Sequence, residues 1–148
     1  MMPWLMLALA LLLGGCDHME VWKSERERDS RANTTYPDNY KADILAFMRT
    51  YLNDPTKVRD AYVSEPALRK IDEINRYSVC VRYNAKKIGG QYAGSKDAVA
   101  VFRSGRFDRL IDSRLERPTD KDRTPDPARE LCKDAAFVPF PELQQMTR

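Results

Sequence analysis

In RYSVCVRYN, residues 76 to 84, Tyr77, Val79, Val81 and Tyr83 fall on alternate positions, with Ser78, Cys80 and Arg82 between them. Only an extended strand turns successive residues to opposite faces, so this period of two requires a sheet with its more apolar face against a core. Cys80 therefore points away from that face. A second stretch extends the sheet: DAVAVFRSGRFDRLID, 97 to 112, reads as two apolar-rich strands joined at Ser104-Gly105. Glycine there supplies the positive φ of a tight hairpin turn. Residues 58 to 64 are a further short candidate strand.

Upstream, the period becomes helical. Ile44, Leu45, Met48, Tyr51 and Leu52 recur at helical spacing, and Tyr40 extends the same face. Asp38, after Pro37, is placed to cap the start, and Asn53-Asp54-Pro55 to stop the helix, which is predicted over 38 to 53. Downstream, 113 to 127 holds three prolines and many charges and reads as a mobile loop or linker. A short helix around 128 to 135 carries Cys132. The tail AAFVPFPEL, broken by two prolines, reads as an extended strap. The order predicts an α+β fold with one amphipathic helix packed on a small antiparallel sheet. At 148 residues the chain has room for one domain, placed at 37 to 148.

The first 13 residues are all apolar, and every Asp, Glu, Lys and Arg of the chain follows them. Fully helical, they would reach roughly 20 Å, short of a hydrocarbon core of about 30 Å. The layout is that of an export signal, although no Lys or Arg precedes the apolar run. Leu13-Gly14-Gly15-Cys16 resembles the lipobox of bacterial lipoproteins, in which a leucine and two small residues precede a cysteine. The resemblance implies a signal peptide over 1 to 15 and a Cys16 thiol that accepts a diacylglyceryl group. Two or three acyl chains, at about 0.8 kcal/mol per buried CH₂, would anchor the protein to a membrane without spanning it. In enteric bacteria an Asp after the lipidated cysteine favours inner-membrane retention, and Asp17 stands there. A plain secretory peptide cut elsewhere is the alternative.

YKADILAFMRTYLNDP, VCVRYNAK, YAGSKDAVAVF and PFPEL are similar to stretches of a set of small, uncharacterised lipoproteins of Gram-negative bacteria, over about residues 36 to 143. That resemblance implies the domain limits and no activity. Three cysteines are an odd number for an exported chain. Assigning Cys16 to lipid leaves Cys80 and Cys132 free to pair in an oxidising periplasm, a pairing the resemblance also supports and one that would tie the C-terminal strap to the sheet. Two buried free thiols are the alternative. Residues 16 to 36, dense in alternating charge with no sustained apolar period, read as a lipidated cysteine and a flexible tether with an r.m.s. reach of about 25 Å.

Catalytic motifs are weak. GGQYAGSK, 89 to 96, approaches a phosphate loop but places Ser95 before Lys96, the reverse of the required order. Tyr92 and Lys96 have a reductase Tyr-x-x-x-Lys spacing without a preceding dinucleotide-binding unit. A glycine-rich connection between strands is the simpler reading. His18, the single histidine, lies in the tether, and with no CxxC there is no expectation of a metal or other cofactor. The 22 acids could always supply a carboxylate pair, so a lipid-tethered hydrolase using carboxylates or a Ser-Lys pair is the alternative function. Charge is more informative: from Arg76 to Arg109 there are eight basic side chains against two acids. Arg82, Lys86, Lys87, Lys96, Arg103 and Arg106 are candidates for one anion-attracting sheet face, set against the simpler reading of solvated edge charges. The expectation is a non-enzymatic envelope module, membrane-anchored and facing the periplasm. Its partner is an envelope protein or an anionic envelope lipid, with nucleic acid excluded by compartment.

Overall fold

The computed structural model describes residues 17–113 and 126–147. The signal segment, Cys16 and most of the proline-rich loop at 113–127 lie outside the described residues. Among the described residues four helices, α1 (Asp17–Thr34), α2 (Tyr40–Tyr51), α3 (Pro127–Cys132) and α4 (Pro141–Gln144), accompany six strands. These are β1 (Asp54–Ser64), β2 (Ala67–Ile71), β3 (Ile74–Lys86), β4 (Lys96–Arg103), β5 (Arg106–Asp112) and β6 (Phe137–Pro139).

The strands form one antiparallel sheet in the order β5-β4-β3-β1-β6, and β2 pairs with β3. β3 is the spine. β4 runs along one side of it, while β1 and β2 share the other, Val63 opposite Val81 and Ala67 opposite Ser78. β1 and β2 thus succeed each other along one side of β3, interrupted at Glu65-Pro66, where proline has no N–H to contribute to the ladder.

The alternation in β3 divides two cores. Val79, Val81 and Tyr83 join Ile44 and Met48 of α2 and Phe140 and Leu143 from the C-terminal segment. Cys80 faces the other side, with Val99, Val101, Ala128 and Cys132. The second face is closed by α3, whose Cys132 is disulfide-bonded to Cys80, the two Cα atoms 5.7 Å apart. The fold is therefore α+β, helices packed on an antiparallel sheet with the C-terminal segment tied to it by the expected disulfide. The expected strap contributes β6, which pairs with the end of β1, and then the turn of α4.

Three local features differ from expectation. α2 spans Tyr40–Tyr51 inside the expected 38 to 53, and its N-cap is Asn39, one residue after the expected Asp38, with no side-chain capping bond. The Asp72-Glu73 turn joins β2 to β3 in a hairpin that carries none of the usual glycine signal, both residues having positive φ. The third is residues 17 to 34, expected as flexible coil but helical. Their apolar residues have no helical period, yet Glu, Lys and Arg are good helix formers, and Lys23, Glu27 and Arg31 place opposite charges four apart. The last turn of α1 is held to the sheet. Ala32 accepts the Ser104 N–H, Arg103 Nη2 lies 3.2 Å from Asp29 Oδ1, and Asn33 is buried.

Candidate functional site

The six basic candidates do not form one surface. Arg103 and Arg106 flank the β4–β5 turn at one end of the sheet, whereas Lys86 ends β3, Lys87 follows it and Lys96 begins β4 at the other. At about 3.3 Å per residue, the length of β4 sets the two groups roughly 20–25 Å apart. The faces differ too. Arg82 lies on the Cys80 face, while Lys96, opposite Tyr83 in the ladder, extends 5.3 Å over that ring on the α2 face.

Most of these cations are also matched. Arg82 makes a two-pronged bond to Asp97, Nε to Oδ1 at 2.6 Å and Nη2 to Oδ2 at 3.1 Å, with its guanidinium 4.4 Å over Phe137. The Asp97 carboxylate raises the Arg82 pKa further above its ordinary value, against the opposing effect of burial. Lys96 Nζ donates to Asp112 Oδ2 at 2.5 Å, and Lys86 Nζ lies 3.8 Å from Asp54 Oδ2. Lys87 and Arg106 have no ion-pair partner among the described residues.

Asp112 organises a partly buried polar cluster that no local sequence pattern marks. The Tyr51 hydroxyl donates to the oxygen that also receives Lys96, joining the end of α2 to β4 and β5. Burial and the Asp112 bond push Tyr51 up to about 12, and burial, with Asp112 and Tyr51 adding, pushes Tyr83 higher still. Both phenols hold their protons at neutral pH, and the cluster braces the seam between α2 and the sheet.

A cleft of about 700 Å³ opens where the α1–α2 connection, the first turns of α2 and the β4–β5 turn meet. Gly105 allows the close approach, because its φ is +72° and a Cβ there would sit 3.1 Å from the Tyr36 carbonyl oxygen. Asp43 Oδ2 accepts the Phe107 N–H at 3.2 Å, and the Phe47 and Phe107 rings stack at 4.5 Å. These contacts leave Asp38, Asn39 and Arg106 exposed on the walls. A pocket of this size with an aromatic wall and charges of both signs suits a small polar ligand or a protruding side chain. Arg106 is the only one of the six candidates that lines it.

At the opposite end of the sheet, Lys57 and Arg59 of β1 join Lys86 and Lys87. Tyr92 organises them: its hydroxyl donates to the Lys57 carbonyl at 2.8 Å, and the Arg59 guanidinium lies 4.0 Å over its ring. Lys86 Nζ approaches the same ring at 5.7 Å. The stretch resembling a phosphate loop is the connection between β3 and β4, its Gly89 and Gly90 open to solvent and its Lys96 turned inward to Asp112. The signal for Lys57 and Arg59 was available only from pairing, since they precede the basic stretch in sequence and reach it through the β1–β3 ladder.

Comparisons of the chain with protein-family models, with curated proteins and with solved structures find no match.

Proposed function

We propose that this chain is a lipid-anchored, non-enzymatic binding module of a Gram-negative cell envelope, held at Cys16 and facing the periplasm. The observation that carries the reading is the Cys80–Cys132 bond. It commits two of the chain's three cysteines to the fold, as an oxidising compartment favours, and leaves Cys16 as the thiol directly after Leu13-Gly14-Gly15. Acyl chains on Cys16 would then hold the protein at a membrane, the inner one favoured by Asp17.

α1 gives this arrangement a mechanical form. Its 18 residues measure about 27 Å along the axis and are mostly exposed, so it acts as a charged spacer between the anchor and the sheet. The docked end of that spacer lies beside the cleft, which presents Asp38, Asn39 and Arg106 for a partner. An envelope protein or an anionic envelope lipid is the partner class.

One observation favours the hydrolase alternative: Asp38 and Asp43 both line the cleft. Against it, Asp43 is committed to the Phe107 N–H and fastens α2 to the hairpin. The two readings separate on an Asp38→Asn variant, which in a binding module changes partner capture without abolishing any turnover.

The anchor is tested by Cys16→Ser with metabolic palmitate labelling and membrane fractionation. Loss of label and release from membranes is the expected result; unchanged labelling ends the lipoprotein reading.

A further inference from the structure

We infer that the sheet end formed by Lys57, Arg59, Lys87 and Ile88 is a membrane contact that inserts Ile88 into an anionic lipid surface. The inference deepens the envelope reading, but it stands on a different part of the molecule from Cys16.

Ile88 is 88% exposed, the most exposed large apolar side chain among the described residues. It stands at the apex of a closed turn: the Lys87 N–H donates to the Gln91 carbonyl at 2.8 Å, and the Gly90 N–H to the Lys87 carbonyl at 3.0 Å. The turn is braced from below by Tyr92, bonded to the Lys57 carbonyl and stacked under Arg59. An aliphatic side chain is thus held out by a built turn, with exposed Lys87 next to it in the chain and exposed Lys57 and Arg59 on the β1 segment that Tyr92 ties to the turn. Asp60 is the exposed acid nearby in β1, and Asp54 faces Lys86.

The charge and shape select the occupant. A protein interface needs a contiguous apolar centre, and Ile88 has no exposed apolar neighbour on its turn. A single aliphatic tip on a turn flanked by exposed Lys and Arg matches the depth profile of a bilayer, whose anionic headgroups overlie the acyl boundary. Each cation near such a surface contributes roughly fivefold to partitioning, and burial of the isoleucine roughly tenfold or more.

The test uses the full chain, recovered from membranes and reconstituted into vesicles, with both native tryptophans replaced, Trp4→Phe and Trp22→Phe, and with Ile88→Trp. Vesicles of phosphatidylglycerol with phosphatidylethanolamine are compared with phosphatidylcholine vesicles, each with and without lipids brominated on the acyl chains. The expected result is a blue shift of the residue-88 emission and at least twofold quenching by bromine in the anionic vesicles. Lys57→Glu with Lys87→Glu should remove most of both, and so should high salt. No quenching in either vesicle, or equal quenching in both that ignores salt and charge reversal, overturns the inference. Acylation of Cys16, read by mass on the same preparation, separates the two proposals. An acylated chain with an unquenched tryptophan sinks the contact alone, and an unacylated chain with a quenched one sinks the anchor alone.

Discussion

The hydroxyl of Ser64 takes the place of a missing ladder bond, its Oγ accepting the backbone N–H of Cys80 at 2.9 Å while donating to the Glu65 carbonyl at 3.0 Å. The edge of β3 passes from β1 to β2 at this point, and Pro66 has no N–H with which to continue the pairing. Ser64 is 3% exposed, so water cannot substitute. Ser64→Ala should therefore lower stability by about 1–3 kcal/mol, the cost of a buried N–H left unpaired. Urea unfolding with an unchanged slope and a lower midpoint is the expected signature. An unchanged midpoint would mean the Cys80 N–H has another partner.

The disulfide should stabilise the second face more than the first. Its sulfurs join residues 52 apart, and closing a loop of that length is worth roughly 4 kcal/mol on the chain-entropy model. Removing it with Cys80→Ala and Cys132→Ala should lose up to about that amount. The loss should begin locally, because α3 is held by the small cluster around Cys80, Val99 and Val101, whereas α2 sits on the larger core. Hydrogen exchange in the double variant should accelerate first in Pro127–Cys132 and last in β3. Uniform acceleration across both faces would refute this order.

Alkaline pH should weaken the fold through Tyr40 and Tyr51. Tyr40 donates to Glu65 Oε1 at 3.1 Å, and Tyr51 donates to Asp112. Burial first, then the acceptor carboxylate, pushes each up to about 12. A phenol whose folded pKa lies above its unfolded value of about 10 holds its proton more tightly in the native state. Its contribution is therefore complete below pH 10 and is lost as pH rises from 10 through 12. Tyr51 is 41% exposed and screened by solvent, so Tyr40 should carry more of the effect. Between pH 8 and 11 the melting temperature of Tyr40→Phe should fall less than that of the parent. A parallel fall in both would assign the alkaline sensitivity elsewhere.

The parts of the fold that were legible follow from strict period and chemistry. The alternation from Tyr77 to Tyr83 admits only a two-faced strand, and Ser104-Gly105 is a turn because both residues take positive φ, 53° and 72°. What stayed hidden depends on long-range register. A turn at 104–105 alone would set Ala98 against Ile111; the irregularity at Val101/Phe102 shifts the ladder so that Ala98 meets Asp112. That shift puts a carboxylate beside Lys96 and converts a candidate free cation into half of a partly buried pair. The expected basic face divided for a related reason, since local charge counts ignore which end and which face of the sheet a residue reaches. The helicity of α1 rests on charge spacing and residue propensity, with no apolar stripe to mark it in the sequence.

Glu73 offers the sharpest test of the one hairpin that carried no signal. Asp72 and Glu73 hold φ values of 50° and 64°, the left-handed pair that a two-residue hairpin requires and that Asp-Gly meets without steric cost. A non-glycine residue in that region carries roughly 1–2 kcal/mol of strain, part of which glycine returns through the greater freedom of its unfolded chain. Glu73→Gly also loses the pair with Lys70, but at 87% exposure of the glutamate side chain that pair contributes little. The net should be a gain of about 0.5–1 kcal/mol, a rise of a few degrees in melting temperature. Gly105→Ala in the other hairpin should move the opposite way. Its φ is already positive, and the added Cβ would meet the Tyr36 carbonyl oxygen at 3.1 Å, so strain and crowding add instead of cancelling. Differential scanning calorimetry on the two variants should therefore give shifts of opposite sign. A Glu73→Gly variant no more stable than the parent would show that the Asp72-Glu73 turn is not strained as its dihedral angles indicate.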